Sequence, residues 1–138
     1  MTPMRMVSVC AGLLITSSLF ISLINARNDL PFRTRSVIKQ MQKADEASES
    51  RFFAALHFPE GDVIRQEAQF GRAWTVLRRF QLKSTEWGQR GRKEVDDGRR
   101  LPYGEVLVHG TQEGQPKLLR MEWVNADGSW YFYGFRER

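Results

Sequence analysis

Cysteine is nearly absent: Cys10 is the only one in 138 residues, and it lies within an uncharged apolar stretch. An intrachain disulfide and a thiolate zinc cluster are therefore excluded. Lipid attachment at Cys10 is disfavoured, because Val9 precedes it where such signals use a small residue and most of the apolar run follows it. Histidine is scarce too. His57 and His109 are the only two, and neither stands at metal-ligand spacing from another donor. His57 reads as a solvated or carbonyl-capping residue at a helix end, and His109 as a strand surface residue. Gly-x-Ser-x-Gly, a Walker loop, His-Glu-x-x-His and the dinucleotide fingerprint are all missing. No catalytic, metal-binding or cofactor-binding residue is assigned, and the expectation is a protein that is not an enzyme.

Charge is absent from Met6 to Ala26, and long apolar runs are absent everywhere else. As a helix rising about 1.5 Å per residue, this stretch covers roughly 30 Å, the thickness of a bilayer's hydrocarbon core. Its length favours a retained single-pass membrane anchor. Cleavage after Ala26 is the alternative, since Asn25-Ala26 offers a small residue before the cut while Ile24 suits the position two places earlier poorly. Arg27, Arg33, Arg35 and Lys39 follow the stretch and only Arg5 precedes it, so the positive-inside rule keeps the rest of the chain on the cytoplasmic or matrix side.

The remainder fits one domain. The division expected is a tail at 1–5, the anchor or signal at 6–26, a linker at 27–35 and a single α+β domain at 36–138. Ser36 is a candidate N-cap for a first helix, with Val37, Ile38, Met41, Ala44, Phe52, Ala55 and Leu56 at helical spacing up to Pro59 and Gly61. Asp62 caps a second, shorter helix that ends at Gly71. Trp74, Val76, Phe80 and Leu82 alternate like a strand reaching toward Trp87. Gly88 to Arg100 reads as a flexible loop. Glu105–Thr111, Leu119–Trp123 and Ser129–Phe135 are further strands, joined by turns at Gly114-Gln115-Pro116 and Asn125-Ala126-Asp127-Gly128. The fold class expected is α+β: an N-terminal transmembrane helix, then two helices packed on a mainly antiparallel four-stranded sheet.

The net charge of +5 is spread along the chain. Arg90, Arg92, Lys93, Arg99 and Arg100 form a basic cluster able to meet lipid headgroups or an acidic partner, with Asp96-Asp97 read as charge balance rather than a cation site. In the aromatic run, strict alternation puts Trp130 and Phe132 on one face and Tyr131, Tyr133 and Phe135 on the other. The second set needs cover, or it forms a partner-binding surface. A nucleic-acid role is set aside, because the RNP pattern is missing and no helix splits the strands.

Several short motifs resemble the Coa1/Tim21 family of mitochondrial and bacterial membrane-anchored proteins. They are the anchor itself, Glu67-Ala68-Gln69-Phe70-Gly71, Gly104-Glu105-Val106-Leu107-Val108, Glu113-Gly114, Leu118 to Val124 and Asp127-Gly128. The family's Pro-x-Ser-Gly approach to its central strand is reduced here to Leu101-Pro102-Tyr103-Gly104. The resemblance implies a non-enzymatic assembly or translocation factor, single-pass in the mitochondrial inner membrane or a bacterial equivalent. Its implied partners are membrane proteins of a respiratory or translocase complex, with no cofactor. The strand from Trp130 to Phe135 after an Asp-Gly turn is also similar to the closing strand of NTF2-like or cystatin-like domains, which implies a secreted or periplasmic binding domain as the alternative.

Overall fold

Pro31 lies in the first turn of a helix, α1 (Leu30–Lys43), in the computed structural model, which describes residues 29–137. The expected tail and the anchor at 6–26 lie outside the described residues; most of the expected linker is instead helical. Proline is tolerated in a first helical turn, where its missing N–H has no helical partner to lose. Among the described residues no helix is long and apolar enough to cross a membrane.

The single helix expected from Ser36 to Leu56 is broken. After Lys43 the chain makes a tight turn, with Ala44 N–H on the Met41 carbonyl at 3.3 Å. A 3-10 turn (Glu46–Ser48) then leads into α2 (Glu49–Leu56). The third helix, α3 (Val63–Leu77), starts where Asp62 accepts the Arg65 N–H at 3.1 Å, the N-cap read from sequence. It continues through Gly71, so the stop expected there and the strand expected from Trp74 are both overturned. Phe70, Ala73, Trp74 and Leu77 fall at helical spacing and are all buried, which satisfies a helical stripe better than Trp74 and Val76 satisfy alternation.

Four strands follow: β1 (Gln81–Glu94), β2 (Arg100–Gln112), β3 (Gln115–Ala126) and β4 (Ser129–Glu137). They form one antiparallel sheet in the order β1-β2-β3-β4, so every neighbour in space is a neighbour in sequence. Glu113-Gly114 and Asp127-Gly128 make two-residue hairpin turns with φ of 53° and 81°, and 56° and 88°. Positive φ at both positions matches the right-handed twist of the flanking strands. The stretch expected as a flexible loop is the second half of β1, its turn and the start of β2. Among the described residues, the helices pack with this sheet to give the α+β architecture.

Val106, Val108, Leu119, Met121, Trp123, Phe132 and Phe135 are buried on one sheet face. Phe70 of α3 meets Phe132 edge-on at 5.3 Å, and Phe132 meets Trp123 at 6.3 Å. Each such buried side chain contributes about 1.5–3 kcal/mol. α1 is tied alongside by Gln42, whose amide donates to the Leu77 and Phe80 carbonyls at 2.9 and 2.8 Å. Arg78 returns the bond by donating to the Met41 and Ala44 carbonyls at 3.0 and 2.5 Å.

A bulge in β4 reverses one expectation. Glu122 pairs with Gly134 but Trp123 pairs with Phe132, leaving Tyr133 as the extra residue. The added residue shifts the phase of the strand. Phe135 therefore shares the face of Phe132 and Met121, not that of Tyr131, and the alternation read from sequence fails there.

The two sheet edges differ. Along β4, the Phe132 carbonyl accepts from Phe58 N–H at 3.2 Å, the Tyr133 carbonyl from Arg65 at 3.2 Å, and Phe135 N–H donates to Gln69 at 2.8 Å. Along β1, Arg35 reaches the Lys83 carbonyl at 3.4 Å and the Thr85 hydroxyl donates to the Pro31 carbonyl at 2.8 Å. Further along β1, Gln89, Arg90, Gly91, Arg92 and Glu94 are exposed.

Candidate functional site

The sheet face opposite α3 carries two neighbouring assemblies, one aromatic and one charged. The aromatic one is a small core of Phe58, Val95, Val124, Ala126 and Tyr133, with Leu101, Tyr103 and Tyr131 packed against it. Phe58 comes from the α2–α3 connection and Val95 from the β1–β2 turn, so the tip of that hairpin arches over the sheet. Asp96 holds it there, accepting from Asp62 N–H at 2.5 Å and from the Tyr133 hydroxyl at 3.3 Å, with Arg65 at 3.6 Å. Arg99 adds ion pairs to Glu60 and Asp97. The Arg99 backbone N–H and guanidinium hold the Asp97 carboxyl below the ordinary carboxylate range.

Gln66 fixes Phe58 from below. It is fully buried, its Nε2 donates to the Phe58 carbonyl at 2.8 Å, and its Oε1 accepts the Phe58 N–H at 2.8 Å. The cover this face needs is thus supplied by a hairpin tip and a connecting loop. Of the aromatic residues singled out in the sequence, Tyr133 is 5% exposed, Phe135 is 1% exposed on the helix side, and Tyr131 is half-buried beside Phe58 at 6.0 Å.

The charged assembly is built on Glu105 and Glu122, which face each other directly across β2 and β3. Like charges so placed repel. Arg136 resolves the conflict, with its Nη2 2.9 Å from Glu105 and its Nε 3.5 Å from Glu122. Arg120 lies 3.4 Å from Glu105. Glu105 also accepts the Gln89 backbone N–H at 3.1 Å, bridging the bulge in β1 between Trp87 and Arg90. It is 2% exposed and serves as the anchor for everything above it. The Tyr103 hydroxyl donates to Glu122 at 3.0 Å, and burial followed by the Glu122 charge pushes that phenol well above its ordinary value.

Over this floor opens a shallow groove of about 600 Å³, lined by Gln89 to Lys93, Tyr103, Glu122 and Arg136. Four cations line it against one carboxylate. Two are braced on aromatic rings: the Arg90 guanidinium lies 3.9 Å from the Trp87 ring centre and the Lys93 ammonium 5.3 Å from that of Tyr103. Such stacking orients the charge and leaves its far side for an anion. A Cβ placed on Gly91 would meet nothing within 4 Å, so the groove is open above the strand.

Of the five basic residues taken from the sequence, the structure brings Arg90, Arg92 and Lys93 together in the groove, and puts Arg99 at the hairpin turn and Arg100 at the start of β2. Arg136, Arg120, Glu105, Glu122 and Tyr103 were not singled out. The available signal was Glu105 beside Val106 and Val108, a carboxylate in a strand otherwise destined for the interior. His109 pairs with Glu86 at 2.6 Å, and His57 stacks on Phe53 at 4.4 Å. Between α2 and α3 a separate acidic cleft of about 360 Å³ is lined by Glu46, Glu49, Glu67, Phe53 and Phe70. Among the described residues, no three metal-ligating side chains converge. Comparison with family models, curated proteins and solved structures returned no match to this chain.

Proposed function

We propose that this chain is a non-catalytic docking protein, held beside an inner membrane by the apolar segment 6–26, that binds an acidic surface of a membrane-complex subunit. The assembly or translocation role rests on the family resemblance. The observation that carries the binding site is the groove beside β1, where Arg90 and Lys93 are braced on rings and Arg136 is fixed by a buried carboxylate. Tethering restricts the groove to a thin layer next to the bilayer and raises its effective concentration toward membrane subunits. Arg90, Arg92 and Lys93 supply steering charge, so association is fast and salt-sensitive.

The test is crosslinking in intact membranes followed by solubilisation and pull-down. The expected result is that the full chain resists alkaline extraction and captures membrane subunits, and that Arg90→Glu with Arg92→Glu abolishes the capture. A mature N-terminus at Arg27, or capture unaffected by the double charge reversal, refutes the proposal.

A further inference from the structure

The basic groove runs along a strand edge, and the two edges of the sheet are treated differently. On β4 the outward groups of Phe132, Tyr133 and Phe135 are hydrogen-bonded to Phe58, Arg65 and Gln69. That edge is closed to another strand. On β1 the half nearest α1 is contacted by Arg35 and Pro31, whereas the half from Gln89 to Glu94 is exposed at every position except Lys93.

The phase of the hydrogen bonds follows from the β1–β2 turn. Val95 N–H donates to the Arg99 carbonyl at 2.8 Å, and bonded and non-bonded pairs alternate from there down an antiparallel ladder. Lys93 opposite Leu101 and Gly91 opposite Tyr103 are then the bonded pairs. Arg92 opposite Pro102 and Glu94 opposite Arg100 turn their N–H and C=O groups away from β2, toward the open edge. Pro102 fits this phase, since its missing N–H would point toward β3, where pairing begins only at Tyr103.

We propose that a partner docks by strand addition: an extended acidic peptide segment pairs its backbone with β1 at Arg92 and Glu94, and places its carboxylates on Lys93 and Arg136, on the sheet face of Tyr103 and Glu122. This rests on the docking reading above and gives it a mode and a partner class. Main-chain bonds supply affinity and alternate side chains supply specificity in this mode of recognition. Two features argue for a peptide with alternating carboxylates rather than a second copy of this chain. The groove lies to one side of the strand, so only every second residue of an added strand reaches it. A second β1 would bring Arg90, Arg92 and Lys93 against the same cations.

The test uses the full chain in mild detergent and a fluorescent peptide of alternating Glu and Thr, about ten residues long, within the usual range of strand lengths. Three probes are compared by anisotropy: this peptide, the same peptide N-methylated along one edge, and the same peptide with proline at alternate positions. The first is expected to bind saturably, and the other two, equally charged, at least about tenfold more weakly. Glu94→Pro removes an outward donor, keeps every groove cation, and is expected to weaken binding by a similar factor. Amide exchange of Arg92 and Glu94 is expected to slow on binding, with Gly91 and Lys93 unchanged. If the N-methylated and proline peptides bind as well as the first, docking is electrostatic only, and strand addition is refuted while the docking reading survives. If no acidic peptide binds, both fall. Dimerisation of the chain through β1 also overturns the proposal.

Discussion

Replacing Gln66 with leucine removes the side chain that holds both polar groups of Phe58. The Phe58 carbonyl loses its 2.8 Å donor and retains the longer bond from Gly61 N–H at 3.2 Å, and Phe58 N–H retains only the longer bond to the Phe132 carbonyl at 3.2 Å. Neither group is orphaned, so each lost short bond costs about 1 kcal/mol. Leucine is apolar and similar in size, so no large cavity offsets or enlarges the sum. The expected loss is about 2 kcal/mol, or a fall in Tm of roughly 8–16 °C for a domain of this size. Urea unfolding of the full chain in detergent, followed by tryptophan fluorescence, measures it; the slope is expected to stay constant while the midpoint moves. Gln66→Glu sharpens the test. A protonated carboxyl can still accept from Phe58 N–H and donate to the Phe58 carbonyl, whereas the ionised form cannot donate and carries a buried charge. The folded pKa of the new carboxyl is therefore raised above its unfolded value of about 4.3. The variant is near wild type below that pH and loses stability as the pH rises through the raised value. A deficit below about 1 kcal/mol for Gln66→Leu, or a Gln66→Glu deficit independent of pH, refutes the clasp.

Glu105→Ala strands Arg120 and Arg136 and the Gln89 N–H; because both arginines are partly solvated, at 28% and 56% side-chain exposure, the expected loss is about 1–3 kcal/mol by denaturant titration, and no loss would show that the pairs contribute nothing. Gly110→Ala drives a methyl against the Gln81 carbonyl and the Phe80 ring, so about 1–3 kcal/mol is expected in thermal melts, against no more than about 0.5 for Gly91→Ala, where space is open; equal effects would contradict the packing. Tyr103 and Tyr133 are both pushed above the ordinary phenol value, by burial first and then by Glu122 and Asp96 respectively. Stability is thus intact below the unfolded value of about 10 and falls as the pH rises through the folded values. Absorbance at the phenolate band should show late ionisation, and Tyr103→Phe should flatten the alkaline loss; ionisation of these phenols at the unfolded value would refute it.

The Asp127-Gly128 turn and the cap of α3 were legible because their chemistry is local, whereas the turn expected at Gly114-Gln115-Pro116 sits one residue earlier, at Glu113-Gly114, with Pro116 already in β3. Asp127-Gly128 needs positive φ at both positions, and Asp62 needs only the N–H three residues on. The break between α1 and α2 carries neither glycine nor proline. It depends on Arg78 and Gln42 binding carbonyls across the gap between helices, which no neighbouring residue announces. The second half of β1 read as a loop because an edge strand with solvent on its exposed side has no apolar alternation to display. The Tyr133 bulge was hidden for a different reason: an extra residue is defined only by the partner strand. The groove was half visible, as Arg90, Arg92 and Lys93, since they fall within one four-residue stretch of β1. Its floor was not, because Glu105, Glu122 and Arg136 meet only once three strands are in register.

Strand order that repeats chain order sets a sequence of events during synthesis. α3 leaves the ribosome with α2 already made, so Phe53 and Phe52 can meet Phe70 and Trp74, but Phe132, which meets Phe70 edge-on from the sheet, is in β4, the last strand translated. Each hairpin can zip onto its predecessor as it emerges, but the helices gain their floor only when β4 is in place. A nascent chain arrested before Ser129 is expected to hold an unprotected greasy helix surface, the kind of intermediate that recruits chaperones.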